Sequence, residues 1–200
     1  MALPRELFDI KTGERKYLNR EERKAFYEAT LLEAAHVKYY CQLLYYTGCR
    51  LSEALEVNPD RFDYSQRGVV LRTLKQGKDE HGDPIIRHRF NELPKKYLED
   101  IQGIYNILRK KGRKAGQVPL WSFSDRTART YVKRVMAKAG ITGKKATARG
   151  LRHSMGVILA LNKVPANTIK NVLGHAAIKN TMIYLDIIED ERRELVSQVW

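Results

Sequence analysis

Two hundred residues suffice for one domain with a substantial core, and an apolar share of 43% is that of an ordinary globular chain. The charge is less ordinary: 37 Lys and Arg against 23 Asp and Glu leave a net +14 and a pI near 9.8, more than solubility needs and an excess that favours a polyanion, most often nucleic acid. No run of about 18 apolar residues spans a membrane, the polar first twenty residues hold no signal-peptide core, and Cys41 and Cys49 form neither a metal-ligand pattern nor a disulfide framework, which implies reduced thiols in a cytosolic protein.

Residues 1–18 read as an irregular lead-in, and Asn19-Arg-Glu-Glu22 has capping-box spacing, opening a helix to about Ala35. His36 to Thr47, HVKYYCQLLYYT, is apolar almost all round and therefore central and buried; Gly48 ends it. A third helix starts near Arg50 and turns Leu51, Ala54 and Leu55 inward. Val69 to Lys75 is β-branched and reads as a strand, Gly77, Gly82 and Pro84 mark a hairpin loop, and Ile85 to Phe90 is the returning strand. Pro94 opens a helix of about fifteen residues with Leu98, Ile101, Ile104, Tyr105 and Leu108 inward. Lys110 to Lys114, KKGRK, is a basic loop, a solvated surface or a DNA-backbone contact through Lys110, Lys111, Arg113 and Lys114. Ser124 or Asp125 caps a helix to about Lys138, and further helices follow at about Arg149–Leu161, Ala166–Leu173 and Ile178–Leu185. The fold class is mainly α with one small antiparallel sheet.

The stretch Leu173 to Tyr184, LGHAAIKNTMIY, organises the chemistry. On an unbroken helix His175 and Tyr184, nine residues apart, face opposite ways. Gly174 and the Ala176-Ala177 pair allow a turn that brings them to one site, with Thr181 and Tyr184 on one face of a new helix. A tyrosine attacking a phosphodiester needs fixed guanidinium groups for the charge gathering on the non-bridging oxygens, and an acid for the leaving 5′ oxygen. Arg50, with Glu53 three residues on, and Arg152-His153 both lie at helix starts. There the helix dipole disfavours cations, which points to a bound anion.

Together these residues closely resemble the tyrosine recombinase (phage integrase) family. The motifs are Thr47-Gly-Cys-Arg50-Leu-Ser-Glu53, Gly150-Leu-Arg152-His153-Ser, and Leu173-Gly-His175 with Thr181 and Tyr184; the similarity extends over about residues 17–186. The resemblance implies the family's catalytic-domain fold. It also implies that Tyr184 attacks the scissile phosphate to give a 3′-phosphotyrosine, that Arg50 and Arg152 clamp the phosphate, and that His175 donates to a non-bridging oxygen. Glu53 supports the site from behind. The acid for the 5′ oxygen would be a hairpin lysine, Lys75 or alternatively Lys78, both also candidates for backbone contact. No metal and no cofactor are required. The partner would be double-stranded DNA, bound at two sites by a homo-tetramer that is monomeric in solution, in the cytoplasm at the nucleoid.

Two departures stand out. The second motif normally begins with histidine, three residues before its arginine; here that position is Arg149, which can hold a phosphate oxygen and lower the tyrosine's pKa but cannot accept its proton. His153 lies about 100° from Arg152 around its helix, and so reads as a packing residue or a support for the residues around the phosphate rather than a substitute base. Fewer than twenty residues precede the similarity, which reads as a lead-in (1–18) and a catalytic domain (19–200) without a separate N-terminal DNA-clamping domain: a short member like the fimbrial DNA invertases, or a fragment. Leu195, Val196, Val199 and Trp200 either fold back or dock on a neighbouring protomer. The rival readings are a type IB topoisomerase and a non-catalytic DNA-binding regulator.

Overall fold

The computed structural model describes residues 4–73, 77, 80–83 and 85–186. Lys75, Lys78 and the apolar positions of the tail fall outside them. The chain runs α1 (Arg20–Leu31), α2 (Ala35–Thr47), α3 (Leu51–Leu55), β1 (Phe62–Asp63), β2 (Gly68–Thr73), β3 (Arg87–Glu92), α4 (Lys95–Tyr105), α5 (Ile107–Lys110), α6 (Asp125–Lys138), α7 (Ala148–Leu161) and α8 (Ala166–Leu173). Residues 179–186 are helical again. The fold is mainly α with a small antiparallel sheet in the order β1-β2-β3, as expected, although the two-residue β1 escapes a pattern-based reading.

The local signals that start and stop these helices are chemical. Asn19 accepts from the Glu22 backbone N–H while the Glu22 carboxylate accepts from that of Asn19, each at 2.8 Å. Ser124 and Thr147 cap α6 and α7 through their hydroxyls. Gly48 and Gly174 end α2 and α8 in the left-handed conformation. With Val37, Tyr40, Cys41, Leu43 and Leu44 all buried, α2 is the spine of the main core. Two buried tyrosine hydroxyls find carbonyls there: Tyr40 of α2 donates to the Leu51 carbonyl and Tyr97 of α4 donates to the Tyr39 carbonyl, each at 2.9 Å.

A second, smaller core joins Leu7 and Tyr17 to Val157, Ala160, Ile169, Leu173 and Tyr184. The lead-in is therefore packed rather than loose. Leu18 is buried and its backbone N–H donates to the Ser154 hydroxyl at 2.7 Å, tying the start of the chain to α7.

Two expectations need correction. The first helix stops at Leu31, not Ala35, because the buried Glu33 carboxylate is held by Arg134 (2.5 Å) and Lys138 (2.7 Å) of α6, which fixes the turn into α2. The helix after Pro94 breaks at Asn106, in the left-handed region at φ +53. That break resets the phase beyond it, so Ile107 is buried while Leu108, expected inward, is 54% exposed; Ile104, also expected inward, precedes the break and is 52% exposed.

Gly48 carries two constraints at once. Its φ is +59, and an added Cβ would lie 2.9 Å from the Met155 Cβ of α7; Gly140, at φ +69, has open space around it. A left-handed non-glycine residue costs about 1–3 kcal/mol. Gly48→Ala should therefore lower the unfolding free energy more than Gly140→Ala does, by at least about 1 kcal/mol in urea titrations; equal losses would show that α7 yields to the methyl group.

Candidate active site

The site begins with a buried carboxylate. Glu53, 1% exposed, accepts from Arg50 Nη1 at 2.6 Å and from the Arg50 backbone N–H at 3.0 Å. Arg89 of β3 adds its Nη2 at 2.6 Å. Burial alone would raise the Glu53 pKa; Arg89 and Arg50 outweigh it and hold the group below its ordinary value. Arg89 also donates to Thr73 Oγ1 at 2.8 Å and to the Val172 carbonyl at 3.1 Å. Arg50 reaches the Gly174 carbonyl at 3.3 Å. One carboxylate thus locks the start of α3 to the sheet and to the end of α8.

Arg152, on α7, donates from Nη1 to the Gly48 carbonyl at 2.9 Å, while its Nη2 is buried without a partner. Burial, reinforced by Arg50, lowers its pKa to about 10, so it stays charged at neutral pH. A buried guanidinium with an idle N–H fork favours an anion. Arg149, three residues earlier, is exposed, and its Nε lies 3.3 Å from His153 Nε2.

The turn between His175 and Tyr184 forms as expected. The chain leaves α8 through Gly174 at φ +66, and the helix over 179–186 returns Tyr184 beneath His175, with ring centroids 6.1 Å apart and planes 15° from parallel. His175 Nδ1 lies 2.8 Å from Thr181 Oγ1. Tyr184 is 1% exposed and rests on Gly156 of α7, where an added Cβ would be 2.4 Å from the ring. Burial raises its pKa to about 12, against the pull of Arg152, Arg149 and Arg50, so it is a neutral phenol at pH 7.

These groups open on one cavity of about 630 Å³, lined by Arg50, Arg149, Arg152, His153, His175 and Tyr184, among others. Glu53 lies behind Arg50. The basic run stands apart: Lys110, Lys111, Arg113 and Lys114 do not line this cavity, and the Lys111 ammonium is engaged by the Phe62 carbonyl.

His153 supports the site at closer range than the helical-wheel angle indicates. It is not a bystander: its Nδ1 lies 3.0 Å from Tyr184 Oη. The angle from Arg152 is real, but α7 meets two neighbours. Arg152 reaches the turn after α2 on one flank and His153 reaches the tyrosine helix on the other. The Arg149–His153 spacing of four, which places both on one face, was the available signal. Arg89 was missed altogether; an arginine in a short strand carries no mark that its side chain is buried.

Both cavity histidines are kept neutral. Burial, then Arg149 and Arg152, lowers His153 from its ordinary 6.5 to about 4; burial, then Arg152 and Arg50, lowers His175 to about 3. Below pH 6.5 the unfolded chain binds protons that the folded chain refuses, so stability rises with pH and falls as pH drops through this range. Urea midpoints should decline between about pH 7 and pH 5, and His175→Gln should flatten the decline; an unchanged slope would mean that His175 is protonated in the folded protein. Removing one partner of a buried ion pair costs about 3–5 kcal/mol. Arg89→Met should approach that loss in the same titrations, and a change near zero would show that Arg50 alone satisfies Glu53.

Residues 16–191 match the phage integrase family model. The chain is 29% identical over 191 residues to an integrase/recombinase of Escherichia coli, covering 79% of this chain and 56% of that protein. It is 27% identical over 187 residues to tyrosine recombinase XerA of Pyrococcus furiosus, covering 92% and 61%. The chain thus spans little more than half the length of these relatives. Among solved structures, it superposes on XerH site-specific recombinase in a post-cleavage complex with palindromic difH substrate at a TM-score of 0.71, with 21% identity, covering 90% of this chain and 52% of that one. With the catalytic domain of bacteriophage HP1 integrase the TM-score is 0.60 at 15% identity, covering 85% and 86%. At such identities the likeness is one of fold. The fold, and above all the match across residues 16–191, place this chain in the phage integrase family.

Proposed function

We propose that this chain is the catalytic unit of a site-specific DNA recombinase that cuts and rejoins strands through a 3′-phosphotyrosine. The observation that carries the reading is the convergence of Arg50, Arg149, Arg152, His175 and Tyr184 on one cavity, with the buried Arg152 Nη2 unpartnered. A scissile phosphate accepted there would sit in the forks of Arg50 and Arg152, whose charge persists at any working pH. The neutral His175 accepts a hydrogen bond from the Thr181 hydroxyl at Nδ1, carries its one ring proton on Nε2, and donates a hydrogen bond from there to a non-bridging oxygen. Tyr184 Oη attacks phosphorus and displaces the 5′ oxygen, which is protonated by Lys75 or Lys78 of the hairpin. A 5′ hydroxyl from another strand then attacks the phosphotyrosine and completes exchange. The covalent link stores the bond energy, so the scheme draws on no nucleotide and no metal.

The substrate is double-stranded DNA. The net charge of +14 supports this, as do the XerH structures with difH substrate before and after cleavage. The Lys110, Lys111, Arg113 and Lys114 run contacts the DNA backbone away from the cavity, and Lys78 is a further backbone contact where Lys75 serves as the acid. Residues 19–200 form the catalytic domain with 1–18 as its lead-in, four copies act on two paired sites, and the setting is the cytoplasm, at the nucleoid.

The test uses DNA fragments nicked beside candidate cut sites, so that religation fails. The protein should form a DNA adduct that survives denaturant, attached at the 3′ phosphate. Tyr184→Phe should abolish the adduct while binding persists, and Arg50→Ala or Arg152→Ala should slow its formation by about 10²–10³-fold. Binding without any adduct would favour a DNA-binding regulator; supercoil relaxation by a monomer without exchange would favour a type IB topoisomerase.

A further inference from the structure

The recombinase reading, on which this inference rests, leaves the tyrosine's proton without a destination, because Arg149 occupies the position where a histidine would take it. The geometry supplies an acceptor and a reason why it is idle in the free protein. A guanidinium N–H can only donate. With Arg149 Nε donating to His153 Nε2 at 3.3 Å, the ring proton must be on Nδ1. Nδ1–H then points at Tyr184 Oη, 3.0 Å away, and donates to it. In this tautomer His153 cannot take a proton from the tyrosine.

We propose that His153 is the proton acceptor for Tyr184, gated by Arg149: when Arg149 leaves the ring for a DNA phosphate oxygen, the ring proton moves to Nε2 and the Nδ1 lone pair faces Oη. Arg149 is exposed and lines the cavity, so Nε2 exchanges its proton with solvent once uncovered. In the cleavage step the Oη–H bond breaks and an Nδ1–H bond forms, giving an imidazolium. Oη bonds to phosphorus as the bond from phosphorus to the 5′ oxygen breaks, and the hairpin lysine supplies the proton that the 5′ oxygen takes. Rejoining returns the Nδ1 proton to Oη. Phosphate also strengthens the base. The charged or titratable groups facing His153 are Arg149 and Arg152 of its own helix, Lys16 of the lead-in, and Tyr184 and His175 across the cavity. Burial and the cations hold its pKa near 4, and an anion between the two arginines offsets the part that is theirs.

The first measurement needs no DNA. Nitrogen-15 spectra of the histidine-labelled protein, with His153 assigned by its loss in His153→Gln, should show the Nδ1–H tautomer in the unaltered chain and the Nε2–H tautomer in Arg149→Ala. The same tautomer in both would overturn the gate. The second is single-turnover cleavage of the nicked DNA. His153→Gln should slow adduct formation by about 10²-fold or more at unchanged DNA affinity, and Arg149→His combined with His153→Gln should recover at least about tenfold by supplying an acceptor at the neighbouring position. Recovery separates a lost base from a lost packing contact. An adduct formed equally fast by His153→Gln would sink this inference and leave the recombinase reading intact; no adduct from the unaltered protein would sink that reading itself.

Discussion

The buried carboxylate of Glu53 is the contact on which the site depends. It lies where α3, β3 and the end of α8 meet, and neither guanidinium beside it could keep its place without it. Arg50 is aimed into the cavity because one of its nitrogens is anchored at 2.6 Å, and Arg89 clips the sheet to the Val172 carbonyl because its own terminus is held at the same distance. Such a cluster contributes little net stability against a well-packed apolar replacement. What it supplies is position: a guanidinium that would otherwise sample many rotamers is fixed before any anion arrives, and its ordering entropy has already been lost in folding.

The arrangement leaves positive charge uncompensated where it matters. Arg152 satisfies one nitrogen on the Gly48 carbonyl and leaves the other buried and idle. Arg50 and Arg152 depress each other's neighbours, and both histidines stay neutral among them. Each of these features costs folding free energy. On the recombinase reading each would become favourable when one phosphate enters, because the anion would pair the idle N–H groups and relieve the repulsion together. Tyr184 is likewise kept as a neutral phenol by burial, seated on Gly156.

Much of this was legible in the sequence, for definite reasons. Caps and stops depend on local chemistry, so Asn19-Glu22, Ser124, Gly48 and Gly174 marked their helices correctly. The turn that unites His175 and Tyr184 could be inferred because a straight helix made their meeting impossible. Tertiary decisions were not legible. Glu33 ends α1 through partners about a hundred residues away on α6. Asn106 adopts a left-handed conformation that no periodicity announces, and Leu108 beyond it is left outside as a result. Arg89 is buried only because Glu53 waits for it across the sheet.

The position of His153 is the most instructive, because the helical-wheel angle was right and yet did not say what the side chain meets. An angle says which residues share a direction, not what lies in that direction. A side chain rotated by 100° from Arg152 is remote from the phosphate clamp if α7 has one neighbour and adjacent to the nucleophile if it has two. Here the turn after α2 takes one flank and the helix over 179–186 takes the other. The departure at Arg149 then ceases to be an isolated loss. An arginine four residues before a histidine shares its face, and its donor-only chemistry dictates which ring nitrogen of that histidine carries the proton. On the inference drawn above, the residue that removes a proton acceptor from one position would control the acceptor at the next, through the guanidinium that an incoming phosphate would draw away.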